Sequence, residues 1–212
     1  MTTEKSTTAA EQENPTNGNT VISVEHMCKY FTTGFLAKQT TKAVDDVSFS
    51  MRRGRILSLI GESGSGKTTM GKLILKLLNP TSGCIKFCND DICEYTSMQE
   101  KKRYYRKVQA VFQEPFSSFN PLYKVDRVFD MVFESFMPEA KNRDEKILES
   151  LKSVNLEPGD VLGKYPHQLS GGQLQRVLIA RALVLDAEVL IADELISMLD
   201  ASTRIGVLNL LG

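Results

Sequence analysis

Apolar and polar positions divide the chain into stretches of different period. Residues 1–20 are Thr, Glu, Asn and Ala with almost nothing large and apolar, too little to offset the entropy of ordering, so a disordered tail is expected. Two runs, 21–31 and 41–51, read as strands; in the second, Val47, Phe49 and Met51 alternate with Ser48 and Ser50. Arg53-Gly54 makes a tight turn, consistent with a hairpin leading into a further apolar strand, Ile56-Leu57-Ser58-Leu59-Ile60. A Gly-rich turn follows, then a Leu- and Lys-rich helical pattern over 70–78. Pro80-Thr81-Ser82-Gly83 is another turn, and Ile85 and Phe87 mark another strand.

Residues 97–107 read as a basic helix whose charges are a solvated face, and 109–113 as a short β-run. Two prolines and a polar cluster over 113–121 predict an exposed loop. Val125, Val128, Phe129, Val132, Phe133 and Phe136 then keep one helical face, and Ile147, Leu148, Leu151 and Val154 continue it on another helix. Residues 121–168 are therefore read as a helical subdomain inserted into an α/β core. Ser170 opens a last long helix with Leu174, Val177, Leu178, Ala180 and Leu183 on its buried side. The run Val189-Leu190-Ile191-Ala192 is a strand that ends in two carboxylates, Asp193 and Glu194.

Composition changes this picture little. The 212 residues are 42% hydrophobic and 25% charged, with no formal net charge, so no global field draws the chain to nucleic acid or anionic lipid. No apolar run reaches the roughly 20 residues that cross a bilayer, and no signal pattern opens the chain, which points to the cytoplasm. Cys28, Cys84, Cys88 and Cys93 lack zinc-ribbon spacing and are expected to be reduced structural thiols.

The chemistry sits in Gly61-Glu62-Ser63-Gly64-Ser65-Gly66-Lys67-Thr68-Thr69, between an apolar run and a helical pattern. This is the G-x-x-x-x-G-K-[ST] phosphate loop in its proper context. Gly61, Gly64 and Gly66 let successive N–H groups turn inward around an anion, and the helix opening at Lys67 adds its positive end. Glu62, Ser63 and Ser65 fill the loop with backbone more than side chain. Lys67 reaches β- and γ-phosphates, Thr68 offers a hydroxyl to Mg²⁺, and Thr69 offers one to the α-phosphate. The rival reading is a Gly-rich turn without a ligand. Ser170, Gly171, Gly172 and Gln173 form a second helix mouth open to an anion, which implies a second nucleotide or a second chain.

In this order, the loop, Gln113, Leu169-Ser170-Gly171-Gly172-Gln173 and Asp193-Glu194 resemble the ATP-binding subunit of an ABC transporter, from residue 21 to the end. Finer detail resembles the dipeptide/oligopeptide (and nickel) importer branch. The cues are Gln113-Glu114-Pro115 running into Ser118-Phe119-Asn120-Pro121, then Tyr165-Pro166-His167-Gln168, then Ser197-Met198-Leu199-Asp200-Ala201-Ser202. The resemblance implies a P-loop NTPase core with an antiparallel β-subdomain and the helical insert. It implies ATP and Mg²⁺ as ligands, and ATP hydrolysis that drives transport. The implied partners are a second cassette in a head-to-tail dimer and transmembrane permease subunits, at the inner face of the membrane and without direct insertion.

By the same resemblance Asp193 and Thr68 hold Mg²⁺, Glu194 polarises the attacking water, and Gln113 touches both beside the permease. Phe31, or Tyr30, stacks on adenine, while Ser170, Gly171, Gly172 and Gln173 close on the γ-phosphate of the opposite subunit. Asp200 lies across that interface. Two departures stand out: Glu194-Leu195-Ile196-Ser197 replaces the usual Glu-Pro-Thr-Ser, and the chain stops at Gly212, before the strand with the family's switch His. The expectation is a cassette truncated at its C-terminus. The rival functions are a fragment that binds ATP without hydrolysing it and, more weakly, a soluble ABC protein acting on ribosomes or DNA.

Overall fold

The computed structural model describes residues 19–34 and 39–192. The expected tail, Asp193, Glu194 and the cues at 197–202 lie outside the described residues. The first layer is an antiparallel sheet in the order β2-β1-β3-β4: β1 (Thr20–Thr33), β2 (Gln39–Arg52), β3 (Ser82–Phe87) and β4 (Asp90–Asp91). β1 sits inside it, paired with β2 from Thr20↔Arg52 to Thr33↔Gln39 and with β3 from Ile22↔Phe87 to Cys28↔Ser82. Its buried Val21, Ile22, Val24 and Met27 meet Met70, Leu73 and Ile74 of α1 (Lys67–Ile74) and Tyr104 of α2 (Met98–Lys107) in one apolar cluster. α2 opens with a capping box between Ser97 and Glu100.

The second layer is parallel. β5 (Val108–Val111) pairs with β6 (Val189–Ala192) in the register Val108↔Val189 to Val111↔Ala192. Beside it, α6 (Gly171–Val184) packs against α3 (Arg127–Phe136), α4 (Arg143–Ser153) and β5. Phe129, Phe133, Leu151, Leu174 and Leu178 form the centre of this second cluster, to which Val161 of the short α5 (Pro158–Val161) belongs. The apolar faces read from the sequence on α3 and α6 are therefore the faces that are buried.

Four local expectations need correction. The run 56–60 is not a strand. Residues 55–62 are irregular, and Ile56, Leu57, Leu59 and Ile60 are 59, 41, 42 and 94% exposed. Apolar content suits a strand, but a strand exists only with a neighbour, and this run pairs with no described residue. The hairpin partner of β2 is accordingly β1, not 56–60.

The helix expected over 70–78 ends at Ile74, where Lys76 turns left-handed (φ 53°) and its N–H donates to the Leu73 carbonyl. The Leu77 N–H then reaches back to the Lys72 carbonyl at 2.9 Å, closing a Schellman motif without glycine. Asn155 after α4 and Asp186 after α6 close their helices the same way, at φ 54° and 53°. Last, the loop 113–121 is only partly exposed: it makes a 3-10 turn at Pro115–Ser118, and Pro115 and Phe119 are buried.

Candidate functional site

The glycine-rich loop runs directly into α1. Gly66 is the helix N-cap in a left-handed conformation (φ 96°, ψ 3°), with no side chain capping the first turn and no acidic residue in it. The positive end of the helix is thus left to the loop. The Ser65 N–H donates to the Glu62 carbonyl at 3.1 Å and tightens the turn. Lys67 folds back across it: Nζ donates to the carbonyls of Gly61 (2.7 Å) and Glu62 (2.8 Å) and lies 3.4 Å from Ser65 Oγ. One ammonium group therefore spans the curve of backbone, held by neutral acceptors that a phosphate oxygen, being charged, outcompetes.

Space confirms that Gly66 has to be glycine. A Cβ there would lie 2.1 Å from the Ala43 carbonyl oxygen, so β2 rests directly on the loop. That contact locates the aromatic candidates. Phe31 on β1 faces Thr41 on β2, two residues from Ala43, or about 7 Å along the strand. Phe31 is 39% exposed, with Lys29 Nζ 5.1 Å from its ring centroid and bonded to the Asn79 carbonyl at 2.7 Å.

Tyr30 is committed elsewhere. Its hydroxyl donates to Asp45, which raises the phenol far above its ordinary value, while Lys42 lies over its ring. Of the two aromatics, Phe31 is the one presented. Asp45, at the surface, accepts from Tyr30 and Lys42, and Asp46 pairs with His26 at 2.8 Å.

The donors expected from the sequence for a metal are a hydroxyl, an amide and a carboxylate. Thr68 is exposed in the first turn of α1, and Gln113 follows two residues beyond Val111. Neither is without a partner. The register Val111↔Ala192 brings the chain ends leading to Gln113 and Asp193 side by side. An all-oxygen set of this kind suits Mg²⁺ better than a softer metal. Among the described residues no group of three or more His, Cys, Asp or Glu could hold a metal, and the four cysteines are free thiols.

The mouth of α6 differs from that of α1. The Gln173 N–H donates to Ser170 Oγ at 3.2 Å, and the Ser170 N–H donates to Gln173 Oε1 at 2.9 Å. This reciprocal cap occupies two of the donors that the sequence left to an anion, so Gly171 and Gly172 carry what backbone capacity remains. α1 and α6 bury their apolar sides in different clusters, so the two helix mouths are separate features of one chain. His167 stacks on Tyr165 with ring centroids 5.7 Å apart. Sequence reasoning missed Ala43 and Lys29; both act through cross-strand register, for which the sequence carries no local signal.

Residues 44–197 match the family described as ABC transporter. The chain is 40% identical over 209 residues to AppF of Bacillus subtilis, an oligopeptide transport ATP-binding protein, covering 96% of this chain and 61% of AppF. It is 40% identical over 179 residues to the dipeptide transport ATP-binding protein DppF of Escherichia coli, covering 84% of this chain and 53% of DppF. It thus spans between about half and three-fifths of the length of these relatives. Among solved structures it is similar to the ATP-binding cassette MJ0796, in a dimeric post-hydrolysis state bound to ADP and Pi. There the TM-score is 0.78 at 30% identity, over 90% of this chain and 81% of the other. Against cbiO1 of Clostridium perfringens, part of the cbiONQ transporter complex, the TM-score is 0.72 at 27% identity, over 91% and 72% of the two chains.

Proposed function

Because the chain belongs to the ABC transporter family, we propose that it is the ATP-binding and ATP-hydrolysing subunit of an importer of di- or oligopeptides. The observation that carries this reading is the uncapped, left-handed entry to α1 with Lys67 spanning the loop and β2 resting on Gly66. The triphosphate lies along residues 61–69, contacted by Lys67 and the backbone from Gly61 to Thr69, and the base stacks on Phe31. Mg²⁺, held by Thr68, Asp193 and Gln113, supplies charge neutralisation on the phosphates. Glu194 orients the attacking water. Fixed positive groups and an oriented nucleophile carry such a phosphoryl transfer.

A second cassette offers its Ser170–Gln173 helix mouth to the nucleotide from the other side. Relatives named for oligopeptide and dipeptide transport support the peptide substrate. The permease subunits meet the groove of about 380 Å³ lined by Leu122, Tyr123, Arg127 and Tyr165. It follows the Gln113 loop in the chain, and Leu122 and Tyr123 are 80 and 54% exposed. Such contact holds the chain at the cytoplasmic face of the membrane, with the helical insert of residues 121–168 relaying nucleotide-driven motion.

One observation favours a second reading, in which the chain binds ATP without turning it over: the segment that feeds the loop, 56–60, has no strand neighbour among the described residues. Titration calorimetry with Mg-ATP tests both. Lys67→Ala removes charged hydrogen bonds worth about 1.5–3 kcal/mol each, so affinity should fall at least roughly tenfold. Unchanged affinity would refute the site; tight binding with turnover at background would select the second reading.

A further inference from the structure

At the N-terminal ends of the parallel strands, one carboxylate gathers three chain segments. Glu188 immediately precedes β6, Lys107 ends α2 just before β5, and Arg53 stands at the turn that begins the run into Gly61. Lys107 Nζ reaches Glu188 Oε1 at 2.8 Å, and Arg53 Nη2 pairs with Glu188 Oε2, so each oxygen holds a different cation. The backbone joins in: the Glu188 N–H donates to the Lys107 carbonyl at 2.8 Å, and the Arg53 N–H donates to the Asn19 carbonyl at 2.9 Å. The Glu188 side chain is only 20% exposed.

Each segment then travels to a different part of the proposed nucleotide site. Glu188 comes five residues before Asp193, Lys107 six before Gln113, and Arg53 eight before Gly61. At about 3.3 Å per residue of full extension, these spacings cap the three arms at roughly 17, 20 and 26 Å. The first two arms are locked together by strand pairing; the third, through 56–60, pairs with no described residue. The Arg53–Glu188 pair therefore ties the origin of the phosphate-loop arm to the other two.

We propose that Glu188 is a positioning residue for nucleotide binding, setting the phosphate-loop segment in register with the segments that lead to Gln113 and Asp193. The inference rests on the nucleotide reading above. An ordinary surface ion pair would stabilise the fold or do nothing, but would leave ligand affinity alone. Errors of about an ångström in placement are enough to weaken a phosphate contact.

The test compares Mg-ATP affinity, by titration of a fluorescent ATP analogue into the full chain, with melting followed by circular dichroism. Glu188→Gln keeps the shape and removes the charge. It should raise Kd roughly 3–10-fold at a temperature where the protein is fully folded. Glu188→Asp should recover part of that loss. Lys146→Met, which breaks the Lys146–Asp186 pair two residues from Glu188 without touching either of the cations that hold Glu188, should leave Kd unchanged. A Glu188→Gln protein that melts earlier yet binds with wild-type affinity would overturn the proposal, as would an equal loss in Lys146→Met. Should Glu188→Gln not fold, Arg53→Met, which removes the same tie from the other side, carries the same expectation, and wild-type affinity in that variant would overturn the proposal equally. Wild-type protein that fails to bind the analogue would instead overturn the nucleotide reading, and this inference with it.

Discussion

Substituting Gly66 by alanine sets two independent penalties against the loop. At φ 96° and ψ 3° the backbone is left-handed, which an L side chain resists by about 1–2 kcal/mol. The new Cβ would lie 2.1 Å from the Ala43 carbonyl oxygen, and relieving such overpacking costs about 1–3 kcal/mol. Together they amount to about 2–5 kcal/mol. If all of it falls on the loop, ATP binding weakens about 30- to 4000-fold, at about 1.4 kcal/mol per tenfold. Any share absorbed by a shift of β2 appears as lost stability, at about 2–4 °C per kcal/mol for a chain of this size. Gly64→Ala is the internal control. Its φ is 79°, but nothing lies within 4 Å of the added Cβ, so only the left-handed penalty of about 1–2 kcal/mol applies. Nucleotide titration and thermal melting on both variants separate the two penalties. Equal effects of the two alanines would rule out the steric penalty, because the contact with Ala43 would then contribute nothing.

Two other expectations concern the fold around the site. Ser170→Ala breaks the reciprocal cap of α6 and should lower stability by about 0.5–2 kcal/mol in urea denaturation, with Ser170→Asp recovering most of it; absence of that recovery would count against the cap. Lys107, and then Arg53, holds the Glu188 carboxyl below its ordinary value of 4.5. A lowered folded value means that the stabilisation is complete above the unfolded value and is lost as pH falls through the folded one. The gap in melting temperature between wild type and Glu188→Gln should therefore be constant near neutrality and close below about pH 4.5; a gap that widens in acid would reverse the assignment.

What could be read from the sequence is what depends on neighbours along the chain. The phosphate loop, the Ser170 cap and the apolar faces of α3 and α6 each need only a few consecutive residues or one helical period. The failures share the opposite property. Residues 56–60 have the composition of a strand, but their pairing depends on segments far away. The Tyr30–Asp45 bond, between residues fifteen apart, likewise forms only through the β1–β2 register and lies beyond any local reading. The end of α1 was misjudged because Lys76 takes the left-handed position that glycine ordinarily marks, and its Nζ is drawn to the carbonyls of Ile92 and Cys93. The Glu188 cluster joins residues up to 135 positions apart. No local pattern announces it.

The uncovered run Ile56-Leu57-Ser58-Leu59-Ile60 also bears on how the molecule behaves in a test tube. Five residues, four of them Ile or Leu and none charged or proline, carry main-chain amides and carbonyls that join no strand among the described residues, beside greasy side chains. A second molecule can lend the missing neighbour, and a third can follow, so crowding favours fibrous or amorphous assemblies over dispersed protein. Dilution, or an added short strand-forming peptide, should keep the chain dispersed where concentration alone would drive it out of solution.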